Sequence, residues 1–150
     1  MPRRWPLSKL ASLPRRELAD LLRAQVALAA AQARILVQPR GRLVAHGNAI
    51  EAREAAEPLT RRRADALLLA IRRAAGFGLF RPKCLVQSLA LQSLLHREGI
   101  SRSLVRIGVR RDDRGFAAHA WVELDGAPLG EHRELLETLR PLADARVVLR

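Results

Sequence analysis

From Leu18 onward the chain places Leu18, Leu21, Leu22, Gln25, Val26 and Ala29 three and four residues apart, until Pro39 and Gly41 break the run. That spacing puts them on one face of a helix. Ser12-Leu13-Pro14 reads as its opening, so a first helix is predicted over 14–37 with this stripe turned inward. Residues 38–58 hold no sustained period beyond a short helical turn near 50–56. Thr60 can cap a second helix, 61–75, in which Ala64, Leu67, Leu68 and Ile71 form the stripe and Gly76 marks the end. A third helix is predicted over 84–97, with Leu85, Val86, Leu89, Leu94 and Leu95 inward and Gly99 as its stop.

After Gly99 the period changes to two. Residues 103–109 (SLVRIGV) and 116–123 (FAAHAWVE) alternate as half-buried strands do, on either side of the polar run RRDDRG. Asp125-Gly126 is a strong hairpin signal and sends residues 127–132 back as a third strand. A short helix near 132–140 and a last strand over 145–149 complete the reading. Helices first and an antiparallel sheet afterwards make the fold class α+β. A chain of 150 residues fits one domain, divided here into a helical N-terminal part over 1–59 and a core over 60–150.

Composition narrows the classes. With Cys84 as the single cysteine there is no internal disulfide, and the histidines at 46, 96, 119 and 132 have no zinc spacing. No metal or other cofactor is therefore expected, and the setting is read as reducing and cytoplasmic. The apolar run 26–37 is broken by Arg34 and falls well short of the ~20 residues of a membrane span. The net charge of +12 is uneven: residues 1–83 carry 17 Lys and Arg against 6 Asp and Glu, a surplus of 11. Arg61, Arg62 and Arg63 stand at the start of the second helix, where the helix dipole disfavours cations. The triplet is a candidate surface for docking an acidic partner, against the plainer reading of a solvated face. Three Phe, two Trp and no Tyr argue against base stacking, so nucleic acid is not expected as a partner.

The candidate chemistry begins at Cys84, two residues after Pro82 and at the first turn of the third helix. A lone cysteine is most often a small buried hydrophobe. At a helix N-terminus, however, unpaired N–H groups and the positive end of the dipole favour a thiolate nucleophile, and Lys83 adds to this. His119 shares a strand face with Ala117, Trp121 and Glu123, while Phe116, Ala118, Ala120 and Val122 line the other. If the His119 face covers the third helix, imidazole and thiol can meet, as acyl-transfer chemistry requires. Trp121 on that face is a candidate for touching substrate.

The acid that would orient the imidazole depends on the hairpin register. A two-residue turn pairs Leu124 with Ala127 and sets Glu131 opposite Ala120, with His132 opposite His119. A three-residue loop pairs Glu123 with Ala127 and sets Glu131 opposite His119. The chemistry prefers the three-residue loop, with Asp125 a turn residue and Glu123 a second choice of acid. The backbone N–H of Cys84 and the side chain of Gln87 are candidates for stabilising an oxyanion.

Cys84-Leu85 with Gln87, Leu89-Ala90-Leu91-Gln92, Gly99-Ile100, Ile107-Gly108-Val109 and Ala118-His119-Ala120-Trp121-Val122-Glu123 followed by Gly126 together resemble a known family. It is the leader peptidases of lasso-peptide biosynthesis, of the type that forms the C-terminal domain of microcin-processing proteins, within the transglutaminase-like superfamily. The match spans about residues 60–132. It implies a papain-like fold and a Cys–His–acid triad that cuts a precursor after a leader segment whose penultimate residue is usually threonine. On this chain the nucleophile is then Cys84, the base His119 and the acid Glu131, which stands twelve residues after the histidine where the family usually has aspartate. The resemblance further implies the precursor leader peptide and a separate leader-recognition protein as partners, because residues 1–80 read as helices and hold no such domain. It also implies a separate ATP-using cyclase. The alternatives are another transglutaminase-like amidase or acyltransferase and a non-enzymatic basic binding module.

Overall fold

The computed structural model describes residues 12–37, 56–78, 80–112 and 115–141. Three helices come first: α1 (Arg15–Val37), α2 (Pro58–Phe77) and α3 (Cys84–Arg97). Then follow β1 (Ser103–Asp112), β2 (Gly115–Leu124), β3 (Ala127–Pro128), α4 (Arg133–Glu137) and β4 (Arg140–Pro141). The strands form one antiparallel sheet in the order β3-β2-β1-β4. The fold is α+β, as its sequence predicts. The predicted strand 145–149 lies outside the described residues, as does nearly all of the predicted turn near 50–56.

Helix α3 is the centre of the molecule. Val86, Ser88, Leu89, Ala90, Leu91, Gln92, Leu94 and Leu95 are all buried, so it is covered by α1 and α2 on one side and by β1 and β2 on the other. It begins and ends where the sequence places it. Gly99, at φ +78°, closes it with a Schellman motif in which Ile100 N–H donates to Leu95 O at 2.9 Å. Helix α2 starts earlier than predicted, with Pro58 at its first position and Glu57, not Thr60, before it.

Helix α1 is rotated from the predicted face. Its buried residues are Asp20, Ala24, Ala27, Leu28 and Ala31, while Leu22 and Val26 are exposed. Small side chains explain the choice: Ala24, Ala27 and Ala31 join Ala64, Ala70, Ala74 and Ala90 in one core, where alanine lets helices approach closely. The rotation also buries Asp20 beside Arg63. Arg63 donates to both Asp20 oxygens (2.5 and 2.7 Å) and to both Glu98 oxygens (2.5 Å each), and Arg23 joins Glu98 at 2.8 Å. The Arg63 guanidinium, helped by Arg23 and opposed by burial, holds the Glu98 carboxyl down at about 2. One ionic knot thus ties α1, α2 and the end of α3.

The hairpin register differs from the one the chemistry preferred. Leu124 pairs with Ala127 and Glu123 with Pro128 around a two-residue turn, Asp125 at φ +52° and Gly126 at φ +80°. Those dihedral signs are what a type I′ turn needs, and its twist matches that of the strands. The third strand is also shorter than 127–132. Leu129 N–H still donates to Val122 O at 2.9 Å, its side chain enters the core, and Gly130 at φ +67° then turns the chain out of the ladder.

Candidate active site

The β2 face that covers α3 carries Ala120, Val122 and Leu124, opposite Val105 and Ile107 of β1, and not His119. His119 and Trp121 lie on the other face. They nonetheless line one cavity with the helix N-terminus, where β3 ends at Pro128 and the ladder does not cover the β2 edge at Ala120. A cavity of about 170 Å³ lies there, lined from β2 by His119, Ala120, Trp121 and Val122. Cys84, Gln87, Ser88 and Leu91 of α3 form another wall, Leu68, Ile71 and Arg72 of α2 a third, and Leu129 and Glu131 the last.

Cys84 is the first residue of α3 and is half-buried with a free thiol. Lys83 precedes it as N-cap without a side-chain capping bond, and the first backbone bond of the helix runs from Gln87 N–H to Lys83 O at 3.1 Å. The side chain of Lys83 therefore leaves the N–H groups of the first turn uncapped. Gln87 Nε2 donates to Pro82 O at 2.9 Å, which fixes the loop before the helix and occupies one of its two amide hydrogens.

His119 directs Nε2 at Glu131, with Oε2 at 3.4 Å. Nε2 is buried and makes no hydrogen bond among the described residues, so the carboxylate stands within ion-pair reach and short of full hydrogen-bond geometry. Such contacts tighten when substrate closes a site. The orientation leaves Nδ1 as the nitrogen for a thiol partner. The ring is backed by Trp121, with centroids 6.2 Å apart and planes 16° from parallel. Trp121 Nε1 donates to Glu123 at 3.2 Å, and Arg106 Nε holds the same carboxylate at 2.8 Å. Gly108, directly opposite His119, makes room for the indole: a Cβ there would stand 3.0 Å from Trp121 Cζ3 and 2.8 Å from Leu139 Cβ.

The structure therefore brings Cys84, His119, Glu131, Gln87 and Trp121 around one cavity. Glu123 stays on the Trp121 and Arg106 side, and Asp125 stays in the turn, paired with Arg102 at 2.5 Å. The Arg triplet does not act as one surface. Arg63 is engaged by two carboxylates, Arg61 donates to Pro128 O at 3.0 Å and pairs with Asp65 at 3.4 Å, and only Arg62 is fully on the exposed side. Arg63 is thus committed to the knot with Asp20 and Glu98. Arg72 was not anticipated: Nη2 donates to Gly130 O at 2.6 Å and lies 3.5 Å from Glu131 Oε1. Gly130, a lone glycine inside an apparent strand, was the sequence signal that the ladder ends there.

Among the described residues no group of three or more His, Cys, Asp or Glu could hold a metal ion, and no helix is long and apolar enough to cross a membrane. A family model described as transglutaminase-like superfamily matches residues 27–144. No curated protein and no solved structure matches the chain.

Proposed function

The chain belongs to the transglutaminase-like superfamily, whose members are typically cysteine-based enzymes, and from that membership we propose a cysteine peptidase that removes the leader from a lasso-peptide precursor. The observation that carries the chemistry is the shared cavity of Cys84, His119 and Glu131, with the carboxylate 3.4 Å from Nε2. The substrate class rests on the resemblance of the Cys84 and His119 segments to the lasso leader peptidases.

In this reading Cys84 Sγ attacks the scissile carbonyl carbon while His119 Nδ1 accepts the thiol proton. Glu131 stabilises the imidazolium and keeps the ring in place. The oxyanion takes the Cys84 N–H and the remaining Gln87 amide hydrogen, each such donor being worth about 3–4 kcal/mol in the transition state. Collapse expels the amine, which takes the proton from the imidazolium, and leaves a thioester on Cys84. Water, deprotonated by His119, attacks that thioester and frees the leader carboxylate. Trp121 forms the wall behind the imidazole where substrate passes. A separate recognition protein delivers the leader, with Arg62 rather than Arg63 available for docking, and a separate cyclase takes the cut peptide.

The test is incubation of precursor, recognition protein and purified enzyme, read by mass spectrometry. Cleavage after the leader by the parent and none by a folded Cys84→Ala variant is the expected result. Equal turnover by that variant removes the thiol from the mechanism. A product whose new carboxyl is joined to an acceptor amine as an amide makes the protein an acyltransferase instead.

A further inference from the structure

Two links hold Glu131 where it meets the imidazole, and neither lies in the sheet. One is backbone: Gly130 at φ +67° takes a conformation that side chains rarely adopt. A Cβ there would also overlap Leu68 Cδ2 and press on Arg72 Nη2 at 3.0 Å. Leu68 and Arg72 are one turn apart on α2, so the helix lays both against this glycine. The other link is ionic. Arg72 Nη2 donates to Gly130 O at 2.6 Å and stands 3.5 Å from Glu131 Oε1, while Oε2 of the same carboxylate stands 3.4 Å from His119 Nε2.

We infer that Arg72 is a positioning residue: it clasps the Gly130 carbonyl and one oxygen of Glu131 so that the other oxygen is presented to His119. This rests on the proposed thiol–imidazole pair and deepens it. Removing Arg72 takes away the ionic link and leaves the segment held to α2 by the packing of Leu68 on Gly130 alone.

Alkylation of Cys84 by iodoacetamide, followed across pH 5–9, reads the thiol–imidazole pair without any substrate. The set is parent, His119→Ala, Glu131→Gln, Arg72→Met, Arg72→Lys and the double variant Arg72→Met/Glu131→Gln, each checked for a parental melting transition. Arg72→Met should slow alkylation at pH 7 by about fivefold, the scale of one partly exposed ion pair, and should displace the pH profile toward that of Glu131→Gln. Arg72→Lys keeps a charge without the fork and should recover part of the rate. The double variant should match Glu131→Gln alone, because Arg72 acts through that carboxylate. Independent, multiplying effects in the double variant overturn the inference, as does an Arg72→Met profile equal to the parent's while His119→Ala and Glu131→Gln both change it. If His119→Ala leaves the profile unchanged, the thiol–imidazole pair itself fails. Should Arg72→Met not fold, Arg72→Lys and its double variant with Glu131→Gln carry the same comparison.

Discussion

Replacing Arg63 by methionine keeps much of the side chain's bulk and removes its charge, so it isolates the ionic knot between α1, α2 and α3. Asp20 is 6% exposed, and the side chain of Glu98 19%. Without it Asp20 and Glu98 keep only Arg23, 3.5 Å from the first and 2.8 Å from the second, while Asp20 stays cut off from water. Breaking a buried pair in this way typically costs 3–5 kcal/mol, so about 4 kcal/mol is expected. The displacement of Glu98 from 4.5 to about 2, to which Arg63 contributes most and Arg23 also contributes, corresponds to about 3 kcal/mol. For a domain of this size the melting temperature should fall by about 10 °C at pH 7. The pH dependence gives a second signature. The native carboxyl is the more acidic, so on acidification the unfolded chain takes up the proton first, below 4.5. Its stabilisation is complete above 4.5 and is lost as pH falls through about 2. The parent should therefore lose stability steeply across that window, and Arg63→Met should lose less, so that the two curves converge. Circular dichroism melts at pH 7 and pH 3 measure both. A variant that melts with the parent at pH 7, or that runs parallel to it into acid, would refute the reasoning.

The remaining predictions concern the cavity. His119→Ala should abolish precursor cleavage and also slow alkylation of Cys84 near pH 7; an unchanged alkylation rate would separate the two residues. Glu131→Gln should fold and still bind substrate while turnover falls about 10²–10⁴-fold, as loss of a triad acid commonly does. Glu131→Asp should retain reduced activity. Asp125→Asn, changing only a turn residue paired with Arg102, should leave turnover near the parent's, and a larger loss there than in Glu131→Gln would displace Glu131 from its role.

What the sequence could reveal followed from short-range pattern. Helix α3 was legible to the residue, since Pro82 and Gly99 bracket it, and β1 and β2 were legible from their alternation. The face of α1 was not. Counting apolar residues favours Leu22 and Val26, whereas the packing selects alanines that permit close helix contact and an aspartate whose partner is 43 residues away. In the hairpin, the turn chemistry of Asp125-Gly126 decides the register, a two-residue turn, over the three-residue loop that would set Glu131 opposite His119. Arg72 could not have been found at all, because its link to Gly130 spans 58 residues and depends on how α2 lies against the loop after β3.

That loop gives Glu131 an anchorage outside the sheet. In a continuous ladder one residue more or less in the turn reverses the face of everything downstream, so a hairpin and an acid placed beyond it would have to evolve in step. Here the last bond of the ladder is Leu129 N–H to Val122 O, and Gly130 with Arg72 then turns Glu131 out of it. A residue added at the Asp125-Gly126 tip would therefore act on Glu131 through Leu129, while the hold of Arg72 from α2 stays in place.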